Sequence, residues 1–325
     1  MSAVLRATGA HAPAIALVGA GQVGRALLDR LDADAGAIAY VATSRRAWRG
    51  DAAREGRVAP AALFAETIRA LADAPLPVVV DATASDEVAA LHADWLARGI
   101  HVVTANKAGS GASLVRWQRI VAAQRQSGAS YGDSATVGAG LPVLRTLRRL
   151  RAGGERVHSL EGLLSGTLAW ILDRPDDEPL SARVRAAQAA GLTEPDPAQD
   201  LSGADVARKL LVLARVAGHE VEPGDIGVEP IATGSFDERV SAARVQGRVL
   251  RYVARIDADG RCTAALEALL PEHPLAGARG SDLRIAITSD RYASQPIVLQ
   301  GAGAGAAVTA AALLDDLRCV TLAER

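Results

Sequence analysis

The chain has 325 residues, is 49% hydrophobic and carries a formal net charge of -1. Single cores stop growing near about 250–300 residues, so this length predicts two domains. The neutral balance excludes nucleic-acid or membrane-surface binding driven by charge, and two cysteines, Cys262 and Cys319, exclude a disulfide framework and fit a reducing, cytoplasmic compartment.

Residues 1–13 lack apolar periodicity and read as a disordered lead-in. Ala14–Val18 is an apolar run that predicts a strand. It is followed by Gly19-Ala-Gly21-Gln22-Val23-Gly24 and an amphipathic stretch to Leu31. Strands are predicted at Ala37–Ala42, Val78–Val80 and His101–Thr104, and helices at Pro60–Ala72, Asp86–Ala97 and Ala112–Gln126. This alternation predicts a Rossmann-type α/β domain with a doubly wound parallel sheet.

The texture changes after Gly132. Helices are predicted at Leu144–Arg151, Ser181–Ala190, Ala204–Ala217 and Ala307–Leu317. Strands are predicted at Ser159–Leu164, Val249–Ile256, Thr263–Leu269, Leu283–Thr288 and Ile297–Leu299. Successive strands with few helices between them suggest a second, α+β domain with a mostly antiparallel sheet.

The glycine motif sits where a strand gives way to a helix. There the first glycine permits the tight turn, the second lets a pyrophosphate approach the backbone, and the third lets helix and strand pack closely. Gly19, Gly21, Gln22, Val23 and Gly24 are therefore candidate dinucleotide contacts. An NAD enzyme usually places an acid at the end of the second strand, on the ribose hydroxyls. Here that strand runs into Thr43-Ser44-Arg45-Arg46, with no acid between Asp34 and Asp51. A hydroxyl and guanidinium groups suit a 2′-phosphate, which favours NADP, with NAD as a second coenzyme. The next two strands end in Asp81-Ala-Thr83-Ala84-Ser85 and Thr104-Ala-Asn106-Lys107, at the edge where such sheets bind ligands.

Of the 36 basic residues only two are lysines, Lys107 and Lys209. Arginine does not exchange protons near neutral pH, whereas a lysine amine does once its surroundings lower its pKa. Lys209 closes a dense run, Gly191-Leu-Thr-Glu194-Pro-Asp196-Pro-Ala-Gln-Asp200-Leu-Ser-Gly-Ala-Asp205-Val-Ala-Arg-Lys209, in which Asp205 and Lys209 share a helix face. Several acids beside one amine suit a zwitterionic substrate; a surface ion pair fits the spacing equally well. The six histidines make no zinc-ligand spacing.

On GAGQVG (19–24), TANKA (104–108), ATVGAGLPV (135–143), LSGTLAWIL (164–172), GLTEPDPAQDLSGADVARKLLVLAR (191–215) and GAGAGAAVTA (301–310), the chain resembles the homoserine dehydrogenases along nearly its whole length. The tail resembles the dehydrogenase half of bifunctional aspartokinase–homoserine dehydrogenases; no kinase portion and no C-terminal regulatory module is expected. The resemblance implies interconversion of L-homoserine and L-aspartate 4-semialdehyde with NAD(P), in threonine, methionine and isoleucine synthesis. It implies Lys209 as acid/base with Asp205 as partner, and Glu194 and Asp200 on the substrate amino group. Thr167 and Gly166 would line the substrate pocket, with Lys107 between nicotinamide and substrate. It also implies a homodimer formed through the second domain. Thr83, Ala84, Ser85 and Thr104 are further expected coenzyme contacts. Gly303 and Gly305, in a segment 301–325 returning to a first domain of residues 1–132, would close on the nicotinamide; residues 133–300 would form the substrate and dimerisation domain.

Two departures stand out. Leu192 replaces a tyrosine common in the family. Ser134, beside Asp133, stands where many members carry an acid next to a Na⁺ or K⁺ site, leaving the carbonyls of Val137, Ala139 and Leu141 as the expected ligands. Intact Lys107, Glu194, Asp205 and Lys209 weigh against the alternative of a nucleotide sensor on a decayed scaffold.

Overall fold

The computed structural model describes residues 12–32, 35–49, 52–56, 58–174, 178–231 and 234–323. Most of the expected lead-in lies outside them. The chain forms two compact units, residues 1–140 with 305–325, and residues 141–304.

The first unit opens with β1 (Ala14–Val18), α1 (Gln22–Leu28), β2 (Ala37–Ala42), β3 (Arg46–Arg49), β4 (Ala52–Glu55) and α2 (Pro60–Leu71). It continues through β5 (Pro77–Asp81), α3 (Asp86–Ala89), α4 (His92–Leu96), β6 (His101–Thr104), α5 (Leu114–Ser127) and β7 (Tyr131–Gly132). The sheet order is β4-β3-β2-β1-β5-β6-β7. Its core from β2 to β7 is parallel. The chain leaves β1 for one side and returns to it on the other, which opens a crevice at the carboxyl end of β1.

Alternation builds the two faces of this sheet. Ile15 and Leu17 join Val78, Val80 and Val103 on one side, and Ala16 and Val18 join Val79, Val102 and Trp95 on the other. Full burial of each such aliphatic side chain contributes roughly 1.5–3 kcal/mol.

The sheet departs from the expected all-parallel form at β3 and β4, which pair antiparallel beyond β2. The Thr43 hydroxyl accepts the amides of Arg45 (3.2 Å) and Arg46 (2.9 Å), and Thr43 N–H donates to the Arg46 carbonyl (2.8 Å). These bonds reverse the chain. Neither RAWR nor AARE carries a clear apolar alternation, so the pair gave no strand signal. The helix expected over Asp86–Ala97 is two, because the chain tightens at Ala90–Leu91, where Leu91 N–H bonds the Val88 carbonyl at 3.0 Å.

The second unit holds α6 (Val143–Ala152), β8 (Val157–Leu163), α7 (Gly166–Leu172), α8 (Leu180–Ala189), α9 (Pro197–Leu201), α10 (Ala204–Ala217), β9 (Gly227–Val228), α11 (Phe236–Val245), β10 (Val249–Ile256), β11 (Cys262–Leu269), β12 (Asp282–Ser289) and β13 (Ile297–Ala302). Its sheet runs β13-β12-β8-β10-β11-β9, antiparallel except for the short β9. α10 packs on β10, β11 and α6, and Val206, Leu210 and Leu213 are among its buried residues. Asp257-Ala-Asp-Gly260 turns β10 into β11, Asp257 Oδ1 accepting the amides of Asp259 and Arg261.

The chain returns to the first unit as α12 (Ala306–Ala323), which packs on α1. Asp316 of α12 accepts the Ser134 amide (2.9 Å) and hydroxyl (2.8 Å), which ties residues 134–136 to the first unit. The units therefore divide at 140/141 and 304/305 rather than at 132/133 and 300/301. Among the described residues, no helix is long and apolar enough to cross a membrane.

Candidate active site

The glycine motif is shaped for a phosphate. Gly19 has φ +95°, and a Cβ there would lie 2.8 Å from Thr83 Cγ2. A Cβ on Gly24 would overlap the Gly19 carbonyl oxygen, so α1 crosses this turn only because residue 24 is glycine. A Cβ on Gly21 would meet nothing within 4 Å, and no side chain caps α1. The first N–H groups of a helix have no partners inside it, so the amides of Gln22, Val23 and Gly24 have donors to offer beside the open space at Gly21. These residues fit a dinucleotide pyrophosphate.

The tip of the β2–β3 turn carries Ser44 and Arg45, both exposed, and exposed Arg46 opens β3. The Gly56 amide donates to the Arg45 carbonyl at 2.6 Å and braces the tip from the β4 side. Hydroxyl and guanidinium groups are thus presented on a fixed backbone.

The hydroxyls at the ends of β5 and β6 are bonded within the chain. Thr104 is fully buried; its hydroxyl donates to the Asp81 carbonyl (3.1 Å) and accepts the Asn106 amide (2.8 Å). Thr83 donates its amide (2.9 Å) and hydroxyl (2.7 Å) to Asp81 Oδ1. Ser85 caps α3 by accepting the Val88 amide. These side chains brace the loops, and only Ala84 among them is exposed. Lys107 is half-buried in the turn after β6. That turn is held by Asn106 Oδ1, which accepts the Ala108 amide at 3.0 Å. Arg116 also holds it, donating to the Ala108 carbonyl (3.0 Å) while it pairs with Asp86 (2.6 Å). The Asp86 bond raises the Arg116 pKa above its ordinary value against the cost of burial.

In the second unit Lys209 projects from α10 with its side chain 12% exposed. Its Nζ lies 2.8 Å from Asp205 Oδ2, one turn back, and donates to the Leu164 carbonyl at 2.8 Å. An ammonium has three donors, and two are directed by these partners. Asp205 is 51% exposed, so the pair orients the amine more than it stabilises the fold. Leu164 immediately precedes Ser165, which caps α7 by accepting the Leu168 amide (3.2 Å). A Cβ on Gly166 would stand 3.1 Å from the Ser281 carbonyl oxygen. Thr167 donates to the Leu192 carbonyl at 2.6 Å, and Asp200 Oδ2 accepts the Glu194 amide at 2.8 Å. Three short contacts thus gather LSGT, GLTEPD and DVARK, with the Glu194 carboxylate exposed.

Other expected residues also have contacts within the chain. Gly303 belongs to the second unit, where a Cβ would overlap Leu283; Gly305, φ +117°, begins the return to the first. Ser134, in place of the family's acid, brings no anionic ligand and spends both donors on Asp316, and the Leu141 carbonyl already accepts the Val143 amide at 2.8 Å. The chain lacks that charge at this position, and the residues there do not fit the family's cation site. Among the described residues no cluster of three His, Cys, Asp or Glu could hold a metal. Burial pushes the Cys262 thiol up to about 11, with Asp257 and Asp225 adding to the shift, and leaves it a protonated core residue.

The Leu164 carbonyl, Asp81, His92, Asn106 and Arg116 were not singled out from sequence as parts of the site. Only Asp81 and Asn106 had a signal, their place at strand ends.

A Rossmann-type unit with an open phosphate turn, joined to a unit presenting a lysine among carboxylates, defines a dinucleotide-dependent oxidoreductase. Family models agree: "Homoserine dehydrogenase, NAD binding domain" matches residues 19–131, and "Homoserine dehydrogenase" matches residues 142–317. The chain is 40% identical over 260 residues to bifunctional aspartokinase/homoserine dehydrogenase 2 of Escherichia coli, covering 74% of this chain and 32% of that protein. It is 37% identical over 276 residues to a homoserine dehydrogenase of Schizosaccharomyces pombe, covering 76% and 73%. A crystal structure of a Candida auris protein of unknown function superimposes with TM-score 0.87 and 30% identity, over 96% of this chain and 98% of that one. The chain belongs to the homoserine dehydrogenase family of NAD(P)-dependent oxidoreductases, and it spans about a third of the length of its bifunctional relatives.

Proposed function

We propose that this chain interconverts L-homoserine and L-aspartate 4-semialdehyde, preferring NADP, as a step toward threonine, methionine and isoleucine. The observation that carries this reading is Lys209, held between the Asp205 carboxylate and the Leu164 carbonyl, in a unit where the loop residue Glu194 is tied by its amide to Asp200 of α9.

The nicotinamide coenzyme, when bound, supplies or accepts the hydride. In the reducing direction the aldehyde oxygen gains negative charge, and Lys209 stabilises it and donates the proton that makes the hydroxyl. In oxidation the neutral amine takes that proton back. Asp205 fixes the direction of the amine, while Glu194 and Asp200 hold the substrate ammonium group. We assign Lys107 a supporting cationic role on the coenzyme side, Thr167 and Gly166 the shaping of the substrate loop, and Ser44, Arg45 and Arg46 the 2′-phosphate. The first unit is the coenzyme domain and the second the substrate domain, through whose sheet a cytoplasmic homodimer forms.

The test follows reduced nicotinamide absorbance with purified protein, comparing L-homoserine with L-serine and L-threonine under NADP⁺ and then NAD⁺. Turnover specific to homoserine and faster with NADP⁺ is expected. Coenzyme binding without turnover on any of these would contradict the assignment and favour a nucleotide sensor.

A further inference from the structure

The coenzyme unit contains a buried polar cluster that the reaction above does not use. His92, in α4, and Asp81, at the end of β5, are both 0% exposed. His92 Nε2 lies 3.0 Å from Asp81 Oδ2, and Nδ1 lies 3.0 Å from the Tyr131 hydroxyl oxygen. An ionised carboxylate only accepts, which assigns the ring proton to Nε2; in the neutral ring Nδ1 then accepts the Tyr131 hydroxyl proton. The imidazole is wedged between the rings of Tyr131 and Trp95, with centroids 5.6 and 6.1 Å away.

The bonds of this cluster run to two loops. Asp81 takes the amide and hydroxyl of Thr83, from the loop after β5, and Asn106 Nδ2 (2.9 Å), from the loop after β6. Asn106 also donates to the Ser85 carbonyl at 2.8 Å and so ties the loops together. Gly109, two residues past Lys107, lies flat on the pair: a Cβ there would stand 2.8 Å from His92 Nδ1 and overlap the Tyr131 hydroxyl. Thr83 in turn is the residue against which Gly19 of the phosphate turn packs. Three backbone segments around the crevice therefore rest, directly or through one residue, on His92 and its carboxylate.

We propose that His92 is a positioning residue of the coenzyme crevice: through Asp81 and Tyr131 it fixes the loops at the ends of β5 and β6, so that its loss loosens dinucleotide binding without affecting homoserine. This inference rests on the dinucleotide reading of the first unit. A hydrogen bond to a buried charge is a strong one, and an acceptor deprived of it must find another donor or move. The loops are the only parts of the cluster not embedded in a strand or helix, so they move.

The experiment compares His92→Phe, His92→Gln and Tyr131→Phe in the full chain. It reads KM for coenzyme and for homoserine, kcat, coenzyme Kd by fluorescence, and Tm. His92→Phe keeps a ring and removes both bonds; its coenzyme KM and Kd should rise about tenfold or more, with homoserine KM within about twofold. His92→Gln keeps a donor for Asp81 and should return coenzyme KM to within about threefold of wild type. Tyr131→Phe should give a smaller rise in the same constant. A histidine that merely fills the core would lower Tm and the active fraction and leave coenzyme KM and Kd unchanged; that result overturns the proposal. Should His92→Phe fail to fold, unchanged coenzyme KM in Tyr131→Phe overturns it equally. Wild-type protein that binds dinucleotide but ignores homoserine would defeat the substrate assignment alone, and the Kd comparison would still decide the role of His92. Wild-type protein that binds no dinucleotide would defeat both.

Discussion

In the first unit, the loops after β5 and β6 are fixed by side chains with no solvent exposure: Asp81, His92, Thr104 and nearly buried Asn106. In the second, Glu194 and Asp205 lie on the surface, and the loop that carries Glu194 is held by the Asp200 and Thr167 contacts. The coenzyme side is thus built in advance and the substrate side is arranged by charge. Substitutions in the first should act through geometry and be intolerant of volume. Substitutions in the second should act through individual hydrogen bonds and charges.

The sharpest way to break this contrast is volume at the phosphate turn. Gly24→Val places carbon against the Gly19 carbonyl, and coenzyme binding should fall below detection by fluorescence titration while the second unit keeps its fold by circular dichroism. Ser44→Asp combined with Arg45→Ala alters charge on a braced backbone. It should shift the NADP/NAD ratio of kcat/KM toward NAD by about 10- to 100-fold, since charge-assisted bonds to phosphate are lost. Thr167→Val removes one bond to the Leu192 carbonyl. Homoserine KM should rise by about three- to tenfold with coenzyme KM unchanged.

The smallest expected effect concerns pH. Burial and then Arg151 lower the His219 pKa, and burial and then Arg255 lower that of His273. Both folded values lie below the unfolded value of 6.5, so the unfolded chain binds protons first as pH drops. Stability should be full above that value and decline below it, until the pH reaches the folded pKa values. Tm should fall by a few degrees between about pH 7.5 and 5.5, and His219→Gln should flatten part of that slope.

The sequence made local things legible. The turn 19–24 is contiguous: Gly24 meets Gly19, Gly19 meets the end of a neighbouring strand, and Gly21 stays open. The helix predicted at Ala204–Ala217 and the strand at Val249–Ile256 occur with those bounds, since caps and apolar periodicity lie within the segment. The pairing of Asp205 with Lys209 followed from helical spacing. The Asp81–His92–Tyr131 cluster did not, because its partners are 11 and 39 residues apart and a lone histidine carries no local pattern. Distance also hid the role of Thr104, whose acceptor lies 23 residues away. Thr83 lies only two residues from Asp81, but at a strand end a hydroxyl that binds ligand and one that braces a loop look alike until the acceptor is known. Ser134 and Asp316 are 182 residues apart, so no local pattern signalled the contact that joins residues 134–136 to α12.

Lys209→Arg tests the central claim most directly, with kcat on homoserine and coenzyme Kd measured on the same preparation. Charge is retained and the exchangeable proton is lost. The account predicts a fall in kcat of about 10²- to 10⁴-fold with coenzyme Kd within about twofold of wild type. Turnover within about threefold of wild type, or a loss of coenzyme affinity in step with turnover, would contradict it.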